Sequence, residues 1–238
     1  MNAVAGGGTL ISFPMLVLAG LPMVTANITN TLAIWPGTLT SAWAYRHELR
    51  SEGRLARSLA VPAVLGGLIG ALLLLWLPEQ VFMTLVPWLL LFACGLLGAQ
   101  GPLRRLLQRQ TQGPSFWAMA AVQLLISIYG GYFGAAAGVL MLAAMGVLLP
   151  IPSQHQNALK VWMALWINGA ASVVFLVGAA RSAESLLNLN VLAVMLLSSA
   201  LGGWLGAGIA RRLPPAGLRL AAVLIGLLAA MKFAFQSA

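Results

Sequence analysis

GTLISFPMLVLAGLPMVTANITN (residues 8–30) and GVLMLAAMGVLLPIPSQHQNALK (138–160) superpose without a gap at a shift of 130. Gly8 meets Gly138, Leu10 meets Leu140, Val17-Leu18 meets Val147-Leu148, Pro22 meets Pro152 and Asn27 meets Asn157. Each passage joins a short apolar run to a proline and then to a segment with polar side chains. Further along, a shift of 136 lays Gly66-Gly67-x-x-Gly70-Ala71 on Gly202-Gly203-x-x-Gly206-Ala207, and Leu77-Pro78 on Leu213-Pro214. The extra residues fall in the connection around 179–188. The chain therefore divides into a first half, 1–114, and a second half, 115–238.

Apolar segments run over about 1–20, 22–45, 58–77, 80–99, 116–149, 153–180, 187–210 and 216–235. A helix needs about 20 apolar residues to cross the hydrocarbon core of a bilayer. The reading is an all-α membrane protein, a polytopic bundle of seven to eight transmembrane segments. Four segments per half, an even number, predict parallel repeats related by an axis along the membrane normal. Segment 116–149 is too long for one simple span, and Gly130-Gly131 and Gly134-x-x-x-Gly138 predict a helix broken near mid-membrane. Met1 aligns with Gly131, so the first half lacks a counterpart of 116–130. Either the chain starts at an internal Met, with a true start about 15 residues upstream by the span-length rule, or the first broken helix keeps only its second part.

Composition points the same way. Of 238 residues, 61% are hydrophobic and 7% charged, and the mean hydropathy is +0.93. A soluble domain carries about 25% charged residues. The net charge of +9 does not indicate nucleic acid, because the basic residues cluster between apolar runs. Arg46, Arg50, Arg54 and Arg57 fill the loop 46–57, and Arg104, Arg105 and Arg109 the loop 100–114. By the positive-inside rule both loops are cytoplasmic. On parallel repeats, Arg211 and Arg212 fall outside, against that rule.

The residue inventory excludes several chemistries. There is no Asp, and the only carboxylates are Glu48, Glu52, Glu79 and Glu184. Paired-aspartate intramembrane proteolysis, aspartyl-phosphate pumping and carboxylate-held metals are thereby excluded. The single Cys94 gives neither an intramolecular disulfide nor a thiolate metal site. His47 and His155 form no zinc motif, and neither a phosphate-binding loop nor a serine elbow is present. The expectation is a protein without catalytic residues, metal or cofactor.

What remains is polar chemistry inside apolar segments, where polar side chains are costly and face a cavity or a partner helix. Gly6-Gly7-Gly8 can unwind a helix, and a half-helix N-terminus can hold an anionic group; close packing of small residues is the plain alternative. The segment after Pro22 offers Asn27, Asn30 and Thr31, and that after Pro152 offers Asn157 and Lys160. Asn27 and Asn157 match in the repeat and suggest a paired site, or simple interhelical hydrogen bonds. Lys160 lies about 12 Å into its helix at 1.5 Å per residue. It either snorkels to the headgroups or complements an anion. His155 belongs to the residue type that changes charge between pH 5 and 8, and is the candidate for proton coupling. Tyr129 and Tyr132, beside the glycine break, are further hydroxyl candidates. Gly66-x-x-x-Gly70 and its copy read as helix-contact faces.

Gly6-Gly7-Gly8 with Pro14, Gly20-Leu21-Pro22 and a polar helix ending Ala44-Tyr45-Arg46, with Tyr129-Gly130-Gly131-Tyr132-Phe133-Gly134 and Asn157-Ala158-Leu159-Lys160 in the second half, resemble the TauE/SafE family of sulfite exporters and toluene-sulfonate uptake permeases. The resemblance implies a multi-pass plasma-membrane secondary transporter of sulfur oxyanions. The partners expected are a small anion and the lipid bilayer. Residues and resemblance together predict a carrier working by alternating access of two halves. Gly6, Gly7, Gly8, Asn27, Asn30, Thr31, Asn157 and Lys160 would bind substrate, with His155 coupling protons. An anion channel and a non-transporting scaffold are the alternatives.

Overall fold

The structure, a computed structural model, describes residues 8–107, 116–149, 151–181, 187–209 and 215–236. Among them there are ten helices and no strand. These are α1 (Thr9–Leu18), α2 (Met23–Ala44), α3 (Arg46–Ser51), α4 (Gly53–Trp76), α5 (Glu79–Leu107), α6 (Phe116–Tyr132), α7 (Ala137–Leu148), α8 (Ser153–Arg181), α9 (Leu189–Ile209) and α10 (Pro215–Gln236). Proline, which has no N–H to lose at a helix start, stands just before α2, α5 and α8 and opens α10. Helix α5 continues through Pro102 into the stretch expected to be a loop, because Leu103-Arg104-Arg105-Leu106-Leu107 are all strong helix formers.

Gly53–Trp76, Glu79–Pro102 and Ser153–Arg181 are each long and apolar enough to cross a membrane. Trp43, Trp76 and Trp117 stand exposed near helix ends, where tryptophan suits the headgroup zone of a bilayer. Gly66, Gly67 and Gly70 let backbones meet. A Cβ on Gly67 would lie 2.8 Å from the Ile167 carbonyl oxygen, and one on Gly70 would lie 2.7 Å from the Tyr132 nitrogen. The side chains of the copy at 202–206 lie outside the described residues.

Helix directions follow from contacts. The short α3 marks one end of the bundle, between the end of α2 and the start of α4. Helix α8 begins at this α3 end: His155 Nδ1 lies 2.8 Å from Glu52 Oε1, Asn157 Nδ2 donates to Tyr45 Oη at 2.7 Å, and Trp162 Nε1 donates to the Ala56 carbonyl at 3.0 Å. It finishes at the far end, where Gly178 packs against Leu75 near the end of α4. Helix α2 starts at the far end, since Pro22 and Thr25 share a cavity with Asn188 and Leu189. So α2 and α8 are antiparallel. Helices α5 and α10 are too: Cys94 meets the Val223 carbonyl, and Phe82 and Phe233 both pack edge-on against Phe13.

Helices α6 and α7 do not cross the bundle together. Helix α6 runs alongside α4, with Gly66 against Leu124 and Gly70 against Ile128 and Tyr132. Met141, Met145 and Leu149 of the return limb then share a core with Ala56, Leu59, Met119 and Leu159 at the α3 end. Only a few residues separate Leu149 from Ser153, too short a link to reach across the bundle. The pair is a re-entrant hairpin, open to the α3 end.

This overturns the expectation of parallel repeats. Equivalent helices of parallel repeats point the same way, whereas α2 and α8 oppose each other. The error lay in counting the broken segments as crossings. Helices α2, α4 and α5 precede the α6–α7 hairpin and α8, α9 and α10 follow it, and α8 runs opposite to α2.

Candidate functional site

A cavity of about 320 Å³ lies where the broken helices meet α2, α8 and α9. Its wall contains the start of α1 (Gly8, Thr9, Ser12), one face of α2 (Asn30, Thr31, Thr38, Ser41), and the α6–α7 break (Gly134, Ala137, Gly138). Lys160 and Asn168 of α8 and Ser198 and Ser199 of α9 complete the polar lining, and Phe133, Met141, Ile167 and Met195 are among its apolar members.

The break is shaped by two residues in left-handed backbone conformation, Gly134 (φ 78°) and Ala136 (φ 58°). Glycine adopts this region without cost; alanine does so only when its surroundings impose it. Tyr129 Oη donates to the Ala135 carbonyl at 2.6 Å, and Asn27 Nδ2 of α2 donates to the Tyr132 carbonyl at 2.9 Å. Both bonds satisfy carbonyls that a broken helix would leave orphaned. The break therefore stands 4 residues from α6 to α7, just past the Gly130-Gly131 pair rather than at it.

The donors that can meet a ligand are fewer than the polar residues in the wall. A hydroxyl has one proton. That of Thr31 goes to the Asn27 carbonyl, that of Thr38 to Trp35, that of Ser41 to Gly37 and that of Ser198 to Val194. Ser12 Oγ lies within hydrogen-bond distance of both the Gly8 carbonyl and Asn30 Oδ1; with Asn30 accepting by its oxygen, its NH₂ group remains a donor. Lys160 adds an ammonium, and its side chain is 3% exposed, so it does not snorkel to the protein surface. The first turns of α1 and α7 add backbone N–H groups and the positive ends of two helix dipoles. Amide, ammonium and helix start are all donors, the set that suits an anion.

Of the residues singled out in the sequence, the structure brings Gly8, Asn30, Thr31 and Lys160 to this wall. Gly6 and Gly7 lie outside the described residues. Asn27 is buried beside the break and serves the Tyr132 carbonyl. Asn157 and His155 belong to the α3 end, bonded to Tyr45 and Glu52. Asn27 and Asn157 thus go to separate partners and do not form a pair. Tyr129 is spent on the break, and Tyr132 Oη is buried without a partner among the described residues. Sequence reading left Thr38 and Asn168, polar residues of the two segments, out of its substrate-binding set and missed Ser12 and Ser41. The spacing of Asn30, Ile34, Thr38 and Ser41 at three and four residues would have marked a single helix face.

The profile of the family described as Sulfite exporter TauE/SafE matches residues 1–233. A probable membrane transporter protein of Haemophilus influenzae is 27% identical over 207 residues, 83% of this chain and 80% of its own length. Probable membrane transporter protein ORF9 of a Sinorhizobium species is 29% identical over 156 residues, 62% of this chain and 59% of its own. No solved structure gives a significant match. With its long apolar helices, the chain is membrane-embedded, and it belongs to the sulfite exporter TauE/SafE family of membrane transporters.

Proposed function

We propose that the protein is a secondary transporter of small anions at the plasma membrane, with sulfite and organosulfonates as the substrate class. One observation carries this reading: Lys160, the Asn30 amide and the starts of two half-helices line one cavity. A compact oxyanion would accept from all of them. The ammonium supplies a full charge, and the helix starts supply partial charges that need no reorganisation on binding.

The mechanism we propose is alternating access of two inverted repeats, 1–114 and 115–238. Two patterns support it. Helix starts agree at the shifts read from the sequence: α2 and α8 begin 130 apart, α4 and α9, like α5 and α10, 136 apart. The packing is reciprocal as well, since α2 lies on α9 as α8 lies on α4, and α1 lies on α10 as α7 lies on α5. By the positive-inside rule the α3 end, whose sequence carries Arg46, Arg50, Arg54 and Arg57, is the cytoplasmic side on this reading.

The test is uptake of labelled sulfite into proteoliposomes, with and without an imposed pH gradient. Saturable uptake, competed by sulfonates, is the expected result, and the response to the gradient decides proton coupling. Non-saturating flux would replace the carrier with a channel. Absence of flux for sulfite and for sulfonates alike would sink the substrate assignment.

A further inference from the structure

The α3 end of the bundle is tied shut by three polar contacts between the halves. His155 meets Glu52 at 2.8 Å, Asn157 donates to Tyr45, and Trp162 donates to the Ala56 carbonyl. All run between residues 45–56 of one half and 155–162 of the other. The repeat assigns the Glu52–His155 pair a counterpart at the far end. The shift of 130 carries His155 onto Thr25, and the shift of 136 carries Glu52 onto Asn188. Thr25 and Asn188 line a cavity of about 650 Å³ together with Gly20, Pro22 and Asn190. The same pair of positions is thus closed at one end and separated by open space at the other. One layer deeper, Leu32 and Leu192, the counterparts of Trp162 and Ala56, are buried in a common apolar cluster. The far end is open only in its outer layer.

We infer that Glu52–His155, with Tyr45–Asn157, is the closed gate on the α3 side, and that Thr25 and Asn188 are the gate that closes on the far side in the opposite state. This rests on the alternating-access reading. With antiparallel halves, a state in which each half adopts the conformation of the other exchanges the two ends. The closed pair then opens and the open pair closes. A transporter never needs both gates open, so the polar contacts must break once per cycle. Side chains bonded through one or two hydrogen bonds separate readily, whereas the apolar layer at Leu32 and Leu192 excludes water without a directional tie.

The experiment uses the full chain with Cys94→Ala and two double variants, Glu52→Cys with His155→Cys and Thr25→Cys with Asn188→Cys. Each is locked with a short bifunctional thiol reagent, and backbone hydrogen exchange and sulfite flux are read before and after reduction. Locking either pair is expected to cut flux at least about tenfold, reversibly. Locking 25 to 188 is expected to raise exchange over residues 45–56 about tenfold relative to the chain locked at 52 and 155. Flux that persists with 52 and 155 locked would overturn the inference. So would exchange over 45–56 that is the same in both locked forms. Hydrogen exchange needs no substrate, which separates the two readings. Reciprocal exchange without sulfite flux keeps the gates and removes the substrate, whereas flux without reciprocity removes the gates alone.

Discussion

Helices α2 and α8 are the same helix by sequence register and opposite helices by direction. Each follows a proline, and each carries asparagine at the fifth position, Asn27 or Asn157. Three residues on, Asn30 and Lys160 both reach the central cavity, one from each end of the bundle. The fifth-position asparagines do not. Asn27 holds the Tyr132 carbonyl at the break, and Asn157 holds the Tyr45 hydroxyl at the α3 end. The difference separates two roles that the sequence shows side by side. Positions 30 and 160 face the ligand space, whereas Asn27 braces the break and Asn157 ties the α3 end. It also locates the charge, because inversion delivers the cation from one half and a neutral amide from the other.

Removing the charge breaks the comparison hardest. Two unit charges about 4 Å apart at an effective dielectric near 20 attract by about 4 kcal/mol, and each 1.4 kcal/mol is a factor of ten. Lys160→Met is therefore expected to lower anion transport efficiency on the order of 100-fold or more, measured as initial uptake against concentration. Normal transport would remove Lys160 from the site.

Asn30→Ala is the next largest change. It deletes one donor to a charged ligand, worth about 1.5–3 kcal/mol, and leaves Ser12 with the Gly8 carbonyl as its acceptor. Uptake should fall roughly tenfold to 100-fold on the same scale. The exchange variant Asn30→Lys with Lys160→Asn sharpens the test. If the two positions share one cavity, the relocated ammonium recovers at least about tenfold over Lys160→Asn alone. No recovery would show that the half supplying the charge matters, and that the two positions are not interchangeable.

Much of this architecture was legible in the sequence, for identifiable reasons. Helix starts were readable because proline ends one element and opens the next, as at Pro22 and Pro152. The break was readable to within a few residues because glycine clusters there, although the left-handed Ala136 leaves no trace in sequence. Direction was not readable. A run of apolar residues has the same composition whether it crosses or turns back, so 116–149 looked like a crossing. Residues at the site split likewise. Asn30 and Lys160 stand out because an amide or ammonium in an apolar segment demands a reason. Ser12 and Ser41 do not, because a hydroxyl bonded to its own helix is commonplace there and signals no ligand.

Asn27→Ala tests the frame. One bond to Tyr132 is lost, and the amide oxygen already lacks a partner among the described residues, so the cost is about 1–2 kcal/mol. Lower thermal stability is expected, with the concentration dependence of uptake nearly unchanged. A change in apparent affinity as large as that of Asn30→Ala would place Asn27 with the ligand.

The smallest effect belongs to Asn157 and Tyr45. Their bond is partly buried near one end of the bundle, where water can replace either partner. A double-mutant cycle of Asn157→Ala and Tyr45→Phe should give a coupling of about 0.5–1.5 kcal/mol. As a gate contact, this bond is formed in one state and absent in the other, so its removal should speed opening of the α3 end more than it weakens substrate binding. Hydrogen exchange over residues 45–56 ought to rise in both single variants and rise no further in the double variant. Additive effects would mean that the two side chains act separately, and that α2 and α8 differ at this end for reasons other than a shared hydrogen bond.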